Sequence, residues 1–296
     1  MTLLSVNSDA LPSETCLAKA LAGLAPGRPV VVMVHGYKFD PANPGHTPHR
    51  HILSLAPRKT CWKAVSWPRH LHLEGADGLA IGFGWPARGT IWGAMHRSQP
   101  AAARLADLIV ALNRLEPGRP VHLIGHSLGA RVALAALAGL PAGAVRRVVL
   151  ISAAAFRDEA ARWLNSPAGR MAEVVNVLGR QNDLFDLLLR LALPWRGRTL
   201  GRGGPASAGW LDLRLDRPEV IAELSALGYR LAPLKVRVCH WSGYLRPGVW
   251  PLYRALLLSP EQTPLAVLQA RLGHSPVRSW RTGSDPRLGL ATARPN

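Results

Sequence analysis

No run of apolar residues in this chain approaches the roughly 18 needed to cross a bilayer as a helix, so a helical membrane protein is not expected. Acid is scarce: 18 Asp and Glu stand against 36 Lys and Arg, for a net charge of +18. Lysine is scarce too, with only five among those basic residues, so arginine carries the charge. The arginines are scattered along the chain rather than gathered into a stripe. That spread fits a compositional bias better than a nucleic-acid footprint. A nucleic-acid partner is not expected, and peripheral contact with an anionic membrane surface stays open.

The three cysteines, Cys16, Cys61 and Cys239, are too few and too dispersed for a disulfide framework or a thiolate metal site. They fit buried free thiols in a reducing compartment. Residues 1–25 lack the basic start and compact apolar block of a secretory signal, so cytoplasmic residence is expected. Walker-type and dinucleotide-binding glycine patterns are missing as well. His46, His49, His51, His70 and His72 cluster in one stretch, but no carboxylate is interleaved at ligand spacing. They read as a polar loop, and neither a metal nor an organic cofactor is expected.

What the chain does have is enough apolar residue, 48% of 296, to build one large core. An unbroken apolar run at 30–34, glycines alternating with apolar residues at 78–85, and apolar-rich stretches at 121–125, 147–152, 174–178 and 235–239 predict strands, most of them buried on both faces. Between them, helical spacing is predicted at 13–24, 100–115, 130–140, 158–164, 184–193, 218–227 and 248–258. Strands alternating with helices predict a mostly parallel central sheet with helices on both faces.

The richest stretch is Gly125-His126-Ser127-Leu128-Gly129, which reads G-x-S-x-G between a predicted strand and a predicted helix. A serine on such a sharp turn presents its hydroxyl above the end of the sheet. The next amide, that of Leu128, stands at a helix N-terminus, where negative charge is favoured. A serine hydroxyl is a weak nucleophile and needs a base, which in turn needs an orienting group. The serine turn resembles the one in α/β-hydrolases, and that resemblance implies that both follow it in the chain, acid before base.

His240, just after the predicted strand 235–239, is the expected base; His274 alone is its competitor beyond Ser127. The expected acid is Asp183, in the loop after strand 174–178, with Asp186 as the alternative. An oxyanion hole needs a second backbone donor. Tyr37, after Gly36 at the end of the first inner strand, is the expected one. His35 is expected to be structural. His126 and Trp85 are candidates for walls of a substrate site.

These residues carry a resemblance. Val30 to Gly36, the serine turn, Asp183 and His240 together resemble the α/β-hydrolase superfamily over about residues 29–258. Gly82-Phe83-Gly84-Trp85-Pro86 is similar to a stretch of a bacterial serine esterase-like subgroup. The resemblance implies an α/β-hydrolase fold without a large cap domain, because no long insertion is present. It divides the chain into an N-terminal helical leader (1–28), a hydrolase domain (29–259) and a loosely ordered tail (260–296). It implies hydrolysis of a small-molecule carboxylic ester by Ser127, His240 and Asp183 through an acyl-enzyme. A thioester or amide substrate, or a non-catalytic binding role, are the alternatives. Nothing in the sequence sets the oligomeric state.

Overall fold

Strands buried on both faces must present apolar side chains up and down alternately to two separate cores. A computed structural model, which describes residues 3–58, 61–75 and 77–273, shows this arrangement. Its strands are β1 (Leu3–Asn7), β2 (Val30–Val34), β3 (Leu79–Gly84), β4 (Val121–His126), β5 (Arg147–Ile151), β6 (Glu173–Leu178) and β7 (Trp210–Arg214). They form one sheet in the order β1-β3-β2-β4-β5-β6-β7, and every neighbouring pair is parallel. Along β2, Val30, Val32 and Val34 enter one core while Val31 and Met33 enter the other.

The helices are α1 (Glu14–Ala22), α2 (Trp67–His70), α3 (Ile91–Leu115), α4 (Leu128–Ala136), α5 (Arg157–Leu164), α6 (Pro167–Met171), α7 (Asp183–Ala192), α8 (Pro218–Ala226), α9 (Ser242–Leu245), α10 (Val249–Leu258) and α11 (Leu265–Leu272). One core is closed by α1, α3, α4 and α5, through residues such as Leu21, Leu105, Leu134 and Ala160. The other is closed by α2, α8, α10 and α11, through Trp67, Leu224, Tyr253 and Leu268. The expected α/β class, with a parallel sheet sandwiched by helices, is what the chain forms.

The structure differs from the sequence reading in four places. The first is the N-terminal segment, which contributes β1 as well as the expected helix; β1 pairs with β3 and forms the sheet edge. Second, α3 starts at Ile91, well before Pro100, because Thr90 caps it by accepting from the Gly93 amide. Pro100 lies exposed inside that helix, where it removes one amide without disturbing the buried face. Third, residues 235–239 form no strand. The β6 edge is taken by β7, whose alternating Trp-Leu-Asp-Leu-Arg pattern suits a half-buried strand. Val236 and Val238 are left about half exposed, at 51% and 52%.

Fourth, part of the expected tail is ordered, since α11 buries Leu265, Leu268 and Leu272 in the second core. Fully buried Arg147, at the start of β5, reaches this region and donates to the carbonyls of Leu256 and Thr263 at 3.0 and 2.9 Å. Residues 274–296, including His274, lie outside the described residues. Among the described residues no helix is long and apolar enough to cross a membrane.

Candidate functional site

The site is built at the carboxyl ends of the central strands, where open parallel sheets place their ligands. β4 ends at His126, and α4 begins at Leu128. Ser127 alone makes the reversal, with φ 57° and ψ −123°. A non-glycine residue in this region stores of order 1–3 kcal/mol of strain. The turn is over-determined by its neighbours. The Ser127 amide donates to the Ile151 carbonyl at 3.0 Å, and the Ser127 carbonyl accepts from Ala154 at 3.0 Å. The flanking glycines have a steric reason. A Cβ on Gly129 would stand 2.3 Å from the carbonyl oxygens of Val34 and His35, and one on Gly125 would meet Gly129 at 2.6 Å. The first turn of α4 therefore lies directly on the end of β2.

Ser127 opens into a cavity of about 440 Å³. His126, His240, Asn182, Lys63, Tyr37 and the alternative acid Asp186 are among its polar lining; Phe39, Ile52, Ile91, Phe185, Leu188 and Trp241 contribute apolar walls. The Leu128 amide is at the unpaired N-terminus of α4. Neither it nor the Tyr37 amide has a hydrogen-bond acceptor among the described residues. The Tyr37 hydroxyl is turned away and donates to the Gly89 carbonyl.

His240 has no strand beneath it, and three hydrogen bonds hold its loop. The Cys239 amide donates to the Gln181 carbonyl at 2.9 Å. The His126 ring Nε2–H donates to the His240 carbonyl at 3.0 Å. The His240 ring Nδ1–H donates to Asn182 Oδ1 at 2.6 Å. His240 is thus tied to the end of the β4 strand and to the loop after β6. Phe185 stacks on its ring at 4.8 Å, and the His126 ring lies 4.5 Å away.

The partner of the His240 ring is therefore Asn182, rather than Asp183 or Asp186. Asp186 faces inward from α7 and accepts from Thr199 Oγ1 at 2.5 Å. Burial raises its pKa, with the Thr199 hydrogen bond opposing. Asp183 opens α7, and its carboxylate makes no hydrogen bond to the ring among the described residues. His126 lines the cavity. Trp85 does not: it is fully buried behind the Gly36-Tyr37 turn. Its amide donates to His35 Nε2 and its indole to the His35 carbonyl, both at 3.0 Å. His35 is thereby structural, joining the ends of β2 and β3.

The other histidines are dispersed. His49 pairs with Asn7 at 2.8 Å, His70 packs edge-on against Trp250, and His72 faces Arg254. All three cysteines are free and partly exposed.

Burial governs the electrostatics. His240 is held well below the ordinary imidazole value, first by desolvation and then by His126 and Lys63 nearby. His126 is lowered to about 4 by desolvation, against its hydrogen bond to the His240 carbonyl. His35 and His122 are lowered to about 3, again chiefly by burial. These rings are neutral in the fold and take protons freely once unfolded. Below the ordinary value of 6.5 the unfolded chain therefore binds more protons, and stability falls as pH falls. Each ring removes about 1.4 kcal/mol per pH unit while its two states differ. Thermal melts are expected to drop steeply between about pH 6.5 and about pH 4.5; a flat profile there would contradict this reading of the buried histidines.

The sequence carried little sign of Asn182, Lys63 or Phe185 as site residues, nor of Tyr244, which also lines the cavity. Each comes from a loop or a short helix whose path is set by tertiary packing. The one local signal was the position of Asn182 beside Asp183 after a buried strand.

The chain is similar to several known proteins. A rice (Oryza sativa subsp. japonica) transmembrane and coiled-coil domain-containing protein, STS1, is 33% identical over 171 residues, which is 50% of this chain and 25% of that protein. The chain thus spans about a quarter of the length of that curated relative. An alpha/beta hydrolase fold protein from Nakamurella multipartita aligns at a TM-score of 0.39 and 13% identity, over 79% of this chain and 93% of its own. A lipase-esterase related protein from Clostridium acetobutylicum ATCC 824 aligns at 0.31 and 11%, over 52% of this chain and 76% of its own. The model of the alpha/beta hydrolase family matches residues 31–287, most of the chain, so the protein belongs to that family.

Proposed function

We propose that the protein is a serine hydrolase that cleaves carboxylic esters, with thioesters as the next substrate class. The observation that carries this reading is the strained Ser127 turn at the end of the parallel sheet, opening into a cavity that His240 also lines. A cavity of about 440 Å³ with apolar walls suits an ester with a modest acyl group. In this mechanism His240 Nε2 takes the proton from the Ser127 hydroxyl as Oγ attacks the ester carbonyl. The Leu128 and Tyr37 amides, free of other acceptors, donate to the oxyanion that forms. Collapse expels the alcohol, which takes its proton from the His240 imidazolium. Water then attacks the acyl-enzyme with His240 again as base and frees the acid.

The orienting role expected of Asp183 falls, in this proposal, to its neighbour Asn182. A hydrogen bond from Nδ1–H to Asn182 Oδ1 fixes the tautomer in which Nε2 carries the lone pair, the form a general base needs. Asn182 bears no charge, so it supports the imidazolium less than a carboxylate would. A buried base with a neutral partner keeps its lone pair to lower pH, and the acid limb of kcat/KM is expected below the ordinary imidazole value.

Asn182→Ala is expected to lower kcat by about 10²-fold, because the ring loses its tautomer control. Asn182→Asp is expected to keep activity and move the acid limb to higher pH. Asp183→Ala is expected to change little. A large loss in Asp183→Ala with a silent Asn182→Ala would return the role to the carboxylate.

Turnover of p-nitrophenyl esters and matching thioesters of increasing acyl length tests the reading as a whole. The expected result is turnover by the folded protein that rises and then falls with chain length. Absence of turnover across both series would contradict it.

A further inference from the structure

Helix α7 carries its apolar stripe on the outside. Leu184, Leu187, Leu188 and Leu191 recur at the spacing that lines one helix face, and they are 46%, 44%, 52% and 68% exposed. The opposite face sends Asp186 and Leu189 inward. An amphipathic helix packed on a core does the reverse and buries its leucines. Two tryptophans extend the stripe. Trp195 follows the end of α7 and is 73% exposed. Trp92, 54% exposed, donates its indole N–H to the Ala192 carbonyl at 2.9 Å, which joins the start of α3 to the end of α7. The patch runs into the cavity, because Leu188, Ala192 and Ile91 line it.

Asp183 opens α7 and Asp158 lies near Gly197, but arginines outnumber these acids around the patch and its charge is positive on balance. Arg180, Arg190 and Arg198 are exposed, and none forms an ion pair among the described residues. The whole chain carries +18. A second copy seated on this patch would bring the same positive charge against it, and an anionic partner would not. Leucines and tryptophans this exposed, flanked by arginines, match a helix lying in a lipid interface: apolar side chains among the acyl chains, guanidinium groups at the phosphates.

We infer that the outer face of α7, with Trp92 and Trp195, docks the protein on an anionic phospholipid bilayer, with the cavity mouth toward the lipid. The docking itself depends on the helix and not on the hydrolase reading. Only its consequence rests on that reading: esters with lipid chains would enter from the membrane side.

The test is flotation of the full chain with vesicles of phosphatidylcholine alone and of phosphatidylcholine with phosphatidylglycerol, using Ser127→Ala protein so that lipid turnover plays no part. Flotation with the anionic vesicles, weaker with the neutral ones, is expected. Leu187→Gln with Leu191→Gln keeps the charge and the helix and touches no cavity residue. It is expected to weaken binding by at least about tenfold, given the apolar area withdrawn from two leucines. In the background that retains Ser127, the same pair is expected to leave turnover of a short soluble ester unchanged. Arg190→Gln with Arg198→Gln is expected to reduce both the binding and its salt sensitivity.

Flotation of the leucine variant equal to that of its parent would overturn the proposal, because charge alone would then hold the protein. So would failure to float, or self-association that the leucine variant abolishes. Flotation of the Ser127→Ala protein together with no ester turnover by the chain that retains Ser127 would sink the hydrolase reading and leave the docking standing.

Discussion

Ser127→Ala protein is expected to hydrolyse p-nitrophenyl esters about 10⁴- to 10⁶-fold more slowly in kcat than the native chain, while folding normally. The size of the loss follows from the chemistry. Without Oγ there is no acyl-enzyme, and water must attack the ester directly. The Leu128 and Tyr37 amides and the cavity remain, so turnover above the uncatalysed rate is expected to survive. His240→Ala should cost a similar factor, and the double variant little more, since the two groups act as one unit. Additive losses would mean that Ser127 and His240 work independently. Steady-state kinetics on the single and double variants, with melting curves to show that each is folded, decide the matter.

The second large effect concerns the turn itself. Gly129→Ala places a Cβ 2.3 Å from two backbone carbonyl oxygens at the end of β2, and neither can move without breaking the sheet. The cost is expected to be about 3 kcal/mol or more, a fall in Tm of order 5–10 °C. Activity should fall with it, because the Leu128 amide moves with the first turn of α4. Gly139→Ala is the matched control. Its Cβ would meet the Ala106 Cβ at 3.5 Å, an ordinary contact. Differential scanning calorimetry of both variants tests the contrast. A Gly129→Ala protein that melts with the native one would show that α4 does not press on β2.

Both effects come from the part of the chain that its sequence revealed best. Gly125-His126-Ser127-Leu128-Gly129 is a local pattern whose meaning depends only on the strand before it and the helix after it. The buried strands 30–34, 147–151 and 173–178 were legible because β-branched runs leave few other choices, and 121–126 was legible from the serine turn that follows it.

The edges of the sheet were less legible. Residues 235–239 are as apolar as a strand, yet Trp210–Arg214 takes the edge, because pairing is a competition settled in three dimensions. The partner of His240 was hidden for a related reason. Asn182, Asp183 and Asp186 share one loop and helix start, and one residue of register decides which side chain faces the ring. Sequence reasoning favoured a carboxylate, whereas the turn after Gly179 points the amide inward. Trp85 shows the converse: a conspicuous residue at a strand end that serves to brace His35.

Burial accounts for much of what remains. The same desolvation that keeps His126 and His240 neutral makes the fold sensitive to acid. The exposed leucines of α7 lie outside that logic, since no core requires them.

The most direct measurement is mass-spectrometric mapping of the adduct that a fluorophosphonate forms with the folded native protein. A single adduct on the peptide bearing Ser127, absent from Ser127→Ala and slowed in His240→Ala, is the expected result. No adduct, or one on a different serine, would contradict the assignment of Ser127 as the nucleophile.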